Sequence, residues 1–76
     1  MRNIDILDCH IKFGEYIKSA RERKKMSQYE VAPMVGISQP YLSYIERGER
    51  DIDFVLALKL CDAVDVDIRE FIEDLL

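Results

Sequence analysis

The sequence predicts an all-α domain of five short helices. Three observations carry this. Only three Gly and two Pro interrupt 76 residues, which leaves too few breaks for a sandwich of short strands. Apolar residues recur at three- and four-residue spacings, the period of a helix with one buried face. Ser or Asp precedes each such segment, where a side-chain oxygen can cap a helix. At this length the chain makes one domain, residues 1–76, with a small core. With 49% hydrophobic residues it is too apolar for a disordered chain.

The first helix is expected over about residues 9–25. Phe13, Ile17 and Ala20 share one face. Asp8 is a suitable N-cap, and Arg23, Lys24 and Lys25 bring positive charge to the C-terminal dipole end. Ser27-Gln28-Tyr29-Glu30 reads as a capping box, with the serine oxygen accepting from the Glu30 amide and the glutamate reaching back to the Ser27 amide. It opens a short second helix, about residues 28–35, with Val31, Ala32 and Val35 inward and Gly36 at its end. Pro33 lies inside that helix. It removes the amide that would bond to the Tyr29 carbonyl, so the helix is expected to bend or lose regularity after Ala32.

Ser38 caps a third helix, from Gln39 to about Arg47. Pro40 falls in its first turn, where a missing amide hydrogen costs little. Leu42 and Ile45 point inward, and Gly48 ends the helix. Asp53 caps a fourth helix, Phe54–Val64, whose inward positions are Phe54, Ala57, Leu58, Leu60, Cys61 and Val64. Asp67-Ile68-Arg69-Glu70 reads as a second capping box. It opens a fifth helix, residues 68–76, carrying Ile68, Phe71, Ile72, Leu75 and Leu76.

The net charge is −4, but its distribution is uneven. Residues 12–50 hold Lys12, Lys18, Arg21, Arg23, Lys24, Lys25, Arg47 and Arg50 against Glu15, Glu22, Glu30, Glu46 and Glu49, a net of +3. Residues 51–76 carry a net of −6. One face is therefore fitted to approach a polyanion while the acidic end points away. The start, Met1-Arg2-Asn3-Ile4-Asp5, has no apolar core of a secretory signal, and no apolar run reaches the length of a membrane span. A cytoplasmic protein with reduced thiols is expected. Cys61 lies in an apolar stretch and reads as a small core residue. Cys9-His10 is a pair of adjacent ligand types without a second pair, so no metal site is expected.

Between the second and third helices lies Val35-Gly36-Ile37-Ser38. Two helices joined by so short a turn, with glycine at the bend, cross steeply, as in a helix-turn-helix. The third helix then has its N-terminal end free to enter a major groove. The run Ser27-Gln28-x-x-Val31-Ala32-x-x-Val35-Gly36-Ile37-Ser38-Gln39-Pro40-Tyr41-Leu42-Ser43-Tyr44-Ile45-Glu46-Arg47-Gly48 resembles the Cro/repressor-type, or Xre, helix-turn-helix family. The likeness extends through Phe13-Gly14-Glu15 upstream and Leu58-x-Leu60-Cys61-x-Ala63-Val64 downstream, about residues 11–70 in all. It implies a five-helix lambda-repressor-like DNA-binding domain.

The resemblance assigns roles position by position. Gln28 is the glutamine that contacts a phosphate and braces the first residue of the recognition helix. Gln39 either bonds bidentately to an adenine edge or bridges to Gln28. Pro40, Ser43 and Tyr44 share the outward face. Ser43 is placed for a base edge or phosphate, and Pro40 and Tyr44 for thymine methyls or sugars. Ser38 is first a cap, and Tyr41 either packs or donates to phosphate. Arg47 and Arg50, at or past the helix end, are phosphate neighbours rather than base readers. Lys24 and Lys25 either add to that charge or satisfy helix carbonyls. Arg21 and Glu46 correspond to an arginine–glutamate pair that joins the first helix to the third.

Val55 and Leu56 are apolar where the family commonly has polar residues, and the fifth helix is more apolar than one small core requires. Val55, Leu56, Lys59, Ile68, Phe71, Ile72, Leu75 and Leu76 form the expected dimer interface, unless Leu75 and Leu76 fold back onto the core. The function this implies is a sequence-specific transcriptional regulator that binds double-stranded DNA. It would occupy a two-fold operator as a homodimer. The alternative is a protein-interaction module, such as an antitoxin or adaptor, with secondary DNA binding. An enzyme is not expected. One histidine, no glycine-rich phosphate loop and no nucleophile–base spacing leave nothing from which to build a site. No cofactor is expected either.

Overall fold

The computed structural model describes residues 5–76 as five helices, with no strand among the described residues. They are α1 (Ile6–Arg23), α2 (Gln28–Met34), α3 (Gln39–Glu46), α4 (Phe54–Ala63) and α5 (Ile68–Leu75). Residues 1–4, weighed above for a signal segment, lie outside the described residues. No described helix is long and apolar enough to cross a membrane.

α1 begins three residues earlier than expected. Its N-cap is Asp5, whose carboxylate accepts from the Asp8 amide at 3.2 Å. Asp8 instead sits in the first turn and pairs with Lys12 at 3.0 Å, one helical turn on. Ser27 makes the full capping box of α2, giving and receiving bonds with Glu30 at 3.0 and 2.9 Å. Pro33 does not break α2, which stays helical through Met34. Tyr29 and Pro33 both lie on the exposed side, so the carbonyl deprived of its partner faces water. The second predicted box does not form, and Asp67 acts as a simple cap. The Asp67 carboxylate caps the Arg69 amide at 2.9 Å rather than that of Glu70, because the Arg69 guanidinium draws it over at 2.7 Å. Those bonds hold the Asp67 carboxyl below the usual carboxylate range.

Four of the helices close in the same way. After each C-cap, one residue takes a left-handed backbone and two amides turn back to the last turn's carbonyls, the Schellman arrangement. In α2 the Gly36 amide reaches Pro33 and that of Ile37 reaches Ala32, at 3.2 and 3.1 Å. In α1, α3 and α4 the left-handed residues are Lys25, Gly48 and Asp65. Each closure turns the chain sharply, and after α1, α2 and α4 the next helix starts within a few residues.

The core collects Phe13, Ile17 and Ala20 of α1, Val31 and Ala32 of α2, Leu42 and Ile45 of α3, and Ala57, Leu60, Cys61 and Val64 of α4 and its cap. Burial pushes the Cys61 thiol up to about 11, so it stays protonated and behaves as a small apolar group. Two predicted core residues are not there. Phe54 is 66% exposed and Leu58 41% exposed. α5 packs against the middle of α1: Phe71 meets Phe13 edge-on with ring centroids 5.2 Å apart, and the Tyr16 hydroxyl donates to the Asp67 carbonyl at 3.0 Å.

α1 and α3 touch backbone to backbone. A Cβ added to Gly14 would lie 2.6 Å from the Glu46 carbonyl oxygen and would also collide with that of Ile45, so only glycine permits this approach. Farther along the same contact, Arg21 meets Glu46 in a two-pronged pair. Nε donates to Oε2 at 2.7 Å and Nη2 to Oε1 at 2.9 Å, and Nη1 donates to the Met26 carbonyl at 2.8 Å. The residues are 8% and 5% exposed. The Glu46 bonds raise the Arg21 pKa above its ordinary value, keeping the guanidinium charged.

Removing one partner strands the other charge in the interior. Glu46→Ala is expected to lose roughly 3–5 kcal/mol, lowering the melting temperature by more than about 10 °C. A variant that melts with the wild type contradicts the assignment. Lys25→Gly is expected to raise stability by up to about 1 kcal/mol, because an ordinary side chain is strained in the left-handed region. Asp65→Gly should gain less, since a short polar side chain tolerates that backbone. Urea denaturation midpoints of the two variants test the order.

Candidate nucleic-acid interface

α2 and α3 are joined by Val35–Ser38, and the left-handed Gly36 sets the angle of the turn. Ser38 caps α3 by accepting from the Tyr41 amide at 3.2 Å. The N-terminal end of α3 is thereby fixed with its outer face open. Pro40, Tyr41 and Tyr44 are exposed on it, while Gln39 and Ser43 are half-buried. The opposite face, Leu42 and Ile45, is buried.

A chain of polar contacts runs from the interior to this end of α3. Glu46 Oε1, already bonded to Arg21, also accepts from Gln28 Nε2 at 2.9 Å. Gln28 Oε1 in turn accepts from Gln39 Nε2 at 2.7 Å. The direction of each amide follows from the first link. An ionised carboxylate only accepts, so Gln28 must turn its amide nitrogen to Glu46 and its oxygen outward. Gln39 must then give its nitrogen to Gln28. This leaves Gln39 with a free carbonyl oxygen and one remaining N–H. That is the acceptor–donor pair that the N6 and N7 edge of adenine requires.

The other predicted contact residues fall into one neighbourhood. Ser38, Pro40, Tyr41, Tyr44 and Arg50 line a shallow depression beside α3. The guanidinium carbons of Arg47 and Arg50 lie over the Tyr44 ring, 4.8 and 5.4 Å from its centroid. The Tyr41 hydroxyl donates to the Asp51 carbonyl at 3.3 Å, so its polar end is used within the chain. Three contributors were not singled out from sequence. Glu49 accepts from Arg47 Nε at 2.9 Å, and His10 Nδ1 lies 3.3 Å from Asp51. Only the Arg47–Glu49 spacing could have been found locally. His10 and Asp51 are far apart in the chain and no pattern joins them.

The residues expected at a dimer interface divide. Leu56, Ile68 and Phe71 pack against the core of their own chain, because α4 and α5 rotate these positions inward. Val55, Lys59, Ile72 and Leu76 are exposed and Leu75 is half-buried. No residue of α5 is fully buried.

Comparison with known proteins follows the same outline. The profile of the helix-turn-helix family HTH_3 matches residues 17–71. The HTH-type transcriptional regulator YqaE of Bacillus subtilis (strain 168) is 30% identical over 56 residues, which are 74% of this chain and 48% of that protein. The HTH-type regulator Rv0474 of Mycobacterium tuberculosis is 46% identical over 37 residues, 49% of this chain and 26% of its own length. This chain thus spans less than half the length of these curated relatives. Among solved structures, the restriction-modification controller C.AhdI of Aeromonas hydrophila superposes with a TM-score of 0.75 at 36% identity, covering 83% of this chain and 94% of that one. The clp gene regulator ClgR of Corynebacterium glutamicum gives 0.80 at 25% identity, covering 84% and 68%. The controller C.Esp1396I, a tetramer in complex with its natural 35 base-pair operator, gives 0.75 at 27% identity and covers 88% of both chains. The chain belongs to the HTH_3 family of Cro/repressor-type, or Xre, helix-turn-helix proteins, which are DNA-binding transcriptional regulators.

Proposed function

We propose that the chain binds a specific two-fold operator as a homodimer, with α3 in the major groove. The observation that carries this is the Gln28–Gln39 bond, tied through Glu46 to Arg21. It presents a pre-oriented amide at the leading end of α3. Pro40 and Ser43 lie beside it, and the second N–H of the Gln28 amide is left for a phosphate. Arg47, Arg50, Lys24 and Lys25 supply positive charge at the two ends of the motif. For the dimer, the support is the exposed Ile72 and Leu76 at the C-terminal end, together with the exposed Val55. The oligomeric controller C.Esp1396I on its operator is similar in fold. A two-fold dimer would place its two α3 helices one DNA turn apart, roughly 34 Å.

Selection from random duplexes is expected to yield a palindrome whose half-sites contain adenine opposite Gln39. Gln39→Ala should weaken binding to that duplex by about 1–3 kcal/mol, with binding to unrelated DNA and the melting temperature little changed. Equal loss on all duplexes would contradict base reading by Gln39. Sedimentation at micromolar concentration should show a dimer, and Ile72→Glu should shift it to monomer. A wild type that is only monomeric refutes the homodimer.

A further inference from the structure

Tyr44 stands in the last turn of α3 and is 40% exposed. Two guanidinium groups lie over its ring, and like charges so close repel unless each is held. Arg47 is held by Glu49 at 2.9 Å. Arg50 has no carboxylate partner among the described residues. The attraction that places it is the negative face of the Tyr44 ring.

The loop that carries Arg50 is also fixed. The Asp51 carboxylate lies 3.3 Å from His10 Nδ1, and its backbone carbonyl accepts from the Tyr41 hydroxyl at 3.3 Å. A Cβ added to Gly48 would lie 2.7 Å from the Ile11 Cα, so the turn before the loop presses on α1. Glu49 is taken by Arg47, the Asp51 carboxylate lies 3.3 Å from His10 Nδ1, and neither acid pairs with Arg50. Arg50 is the cation of this corner without an ion-pair partner among the described residues. It borders the depression shared with Ser38, Pro40 and Tyr41.

We infer that Tyr44 is a positioning residue. Its ring holds the Arg50 guanidinium ready for one backbone phosphate of duplex DNA, in place of the thymine contact expected from sequence. A planar guanidinium fits two phosphate oxygens at once, and a side chain already restrained on the ring loses less freedom when the phosphate arrives. The inference rests on the DNA-binding reading above.

Affinity for the selected duplex, measured as a function of salt, tests it. Arg50→Ala removes one phosphate contact and should lower the slope of log affinity against log salt by about 0.9. Tyr44→Leu keeps both arginines but removes the ring, and should lower it by the same amount. The double variant should lose no more than either one. Tyr44→Phe keeps the ring face and should retain the wild-type slope. If Tyr44→Leu fails to fold, Tyr44→Gln at this exposed site carries the same expectation. A wild-type slope in the ring-less variant, or independent losses that add in the double variant, overturns the inference alone. A wild type whose affinity ignores salt overturns the DNA-binding reading and the inference with it.

Discussion

The Arg21–Glu46 pair is the constraint on which the rest of the recognition surface depends. It lies farther along α1 than the close backbone approach to α3 that only Gly14 allows. A buried ion pair is a weak source of stability, and well-packed apolar residues often do as well. Its value here lies in its polarity. Because Glu46 can only accept, the amide of Gln28 has one permitted direction, and the amide of Gln39 inherits it. An apolar replacement could keep the helices together yet would leave both amides free to flip, exchanging donor for acceptor at the position that faces DNA. The fold thus transmits orientation from a dry interior to a wet surface through three consecutive contacts.

The helix closures complete this geometry. Both turns that flank α3 use glycine in the left-handed region, Gly36 before it and Gly48 after it. The corresponding turns after α1 and α4 use Lys25 and Asp65. The two glycines answer different needs. Gly36 has nothing within 4 Å of where a Cβ would stand, so only its backbone angle demands glycine, whereas Gly48 also lies against Ile11. α3 is therefore fixed at its front by the turn and the Ser38 cap, and at its back by contact with α1. That rigidity suits a helix whose side chains must arrive in register with base edges.

The fold class, the number of helices and most of the core were legible in the sequence because caps and helical spacing are local signals. Failures occurred where local signals are ambiguous. Phe54-Val55-Leu56-Ala57-Leu58 is apolar at every position, so periodicity cannot choose a face. The contacts of α4 with α2 and α5 choose it, and leave Phe54 and Leu58 outside. Asp5 and Asp8 are both competent caps, and the exposed Ile6 and Leu7 give no core-facing signal to prefer the earlier one. Phe71, expected from sequence at a partner interface, packs on Phe13 and Tyr16 of its own chain. Its true neighbours lie more than fifty residues away in the chain. Gln28, Gln39, Arg21 and Glu46 were placed through the family resemblance, and the bonds among them fit that placement. The His10–Asp51 contact and the two arginines over Tyr44 came only with the tertiary structure.

The overall negative charge does not oppose binding to a polyanion, because pairing within the chain decides which cations remain available. Arg21, Lys12, Arg47 and Arg69 each have a carboxylate partner. Among the described residues, Lys18, Arg23, Lys24, Lys25, Arg50 and Lys59 do not. Lys24 and Lys25 immediately precede the helix-turn-helix and Arg50 immediately follows it, so free positive charge brackets α2 and α3. The acidic residues of 51–76 mostly lie on α4, α5 and their connections. At physiological salt a charge is screened beyond about 8 Å. A phosphate at the end of α3 therefore responds to Arg50 and its neighbours rather than to the sum over the chain, while the acidic helices set the repulsion that any second copy must overcome with apolar contact.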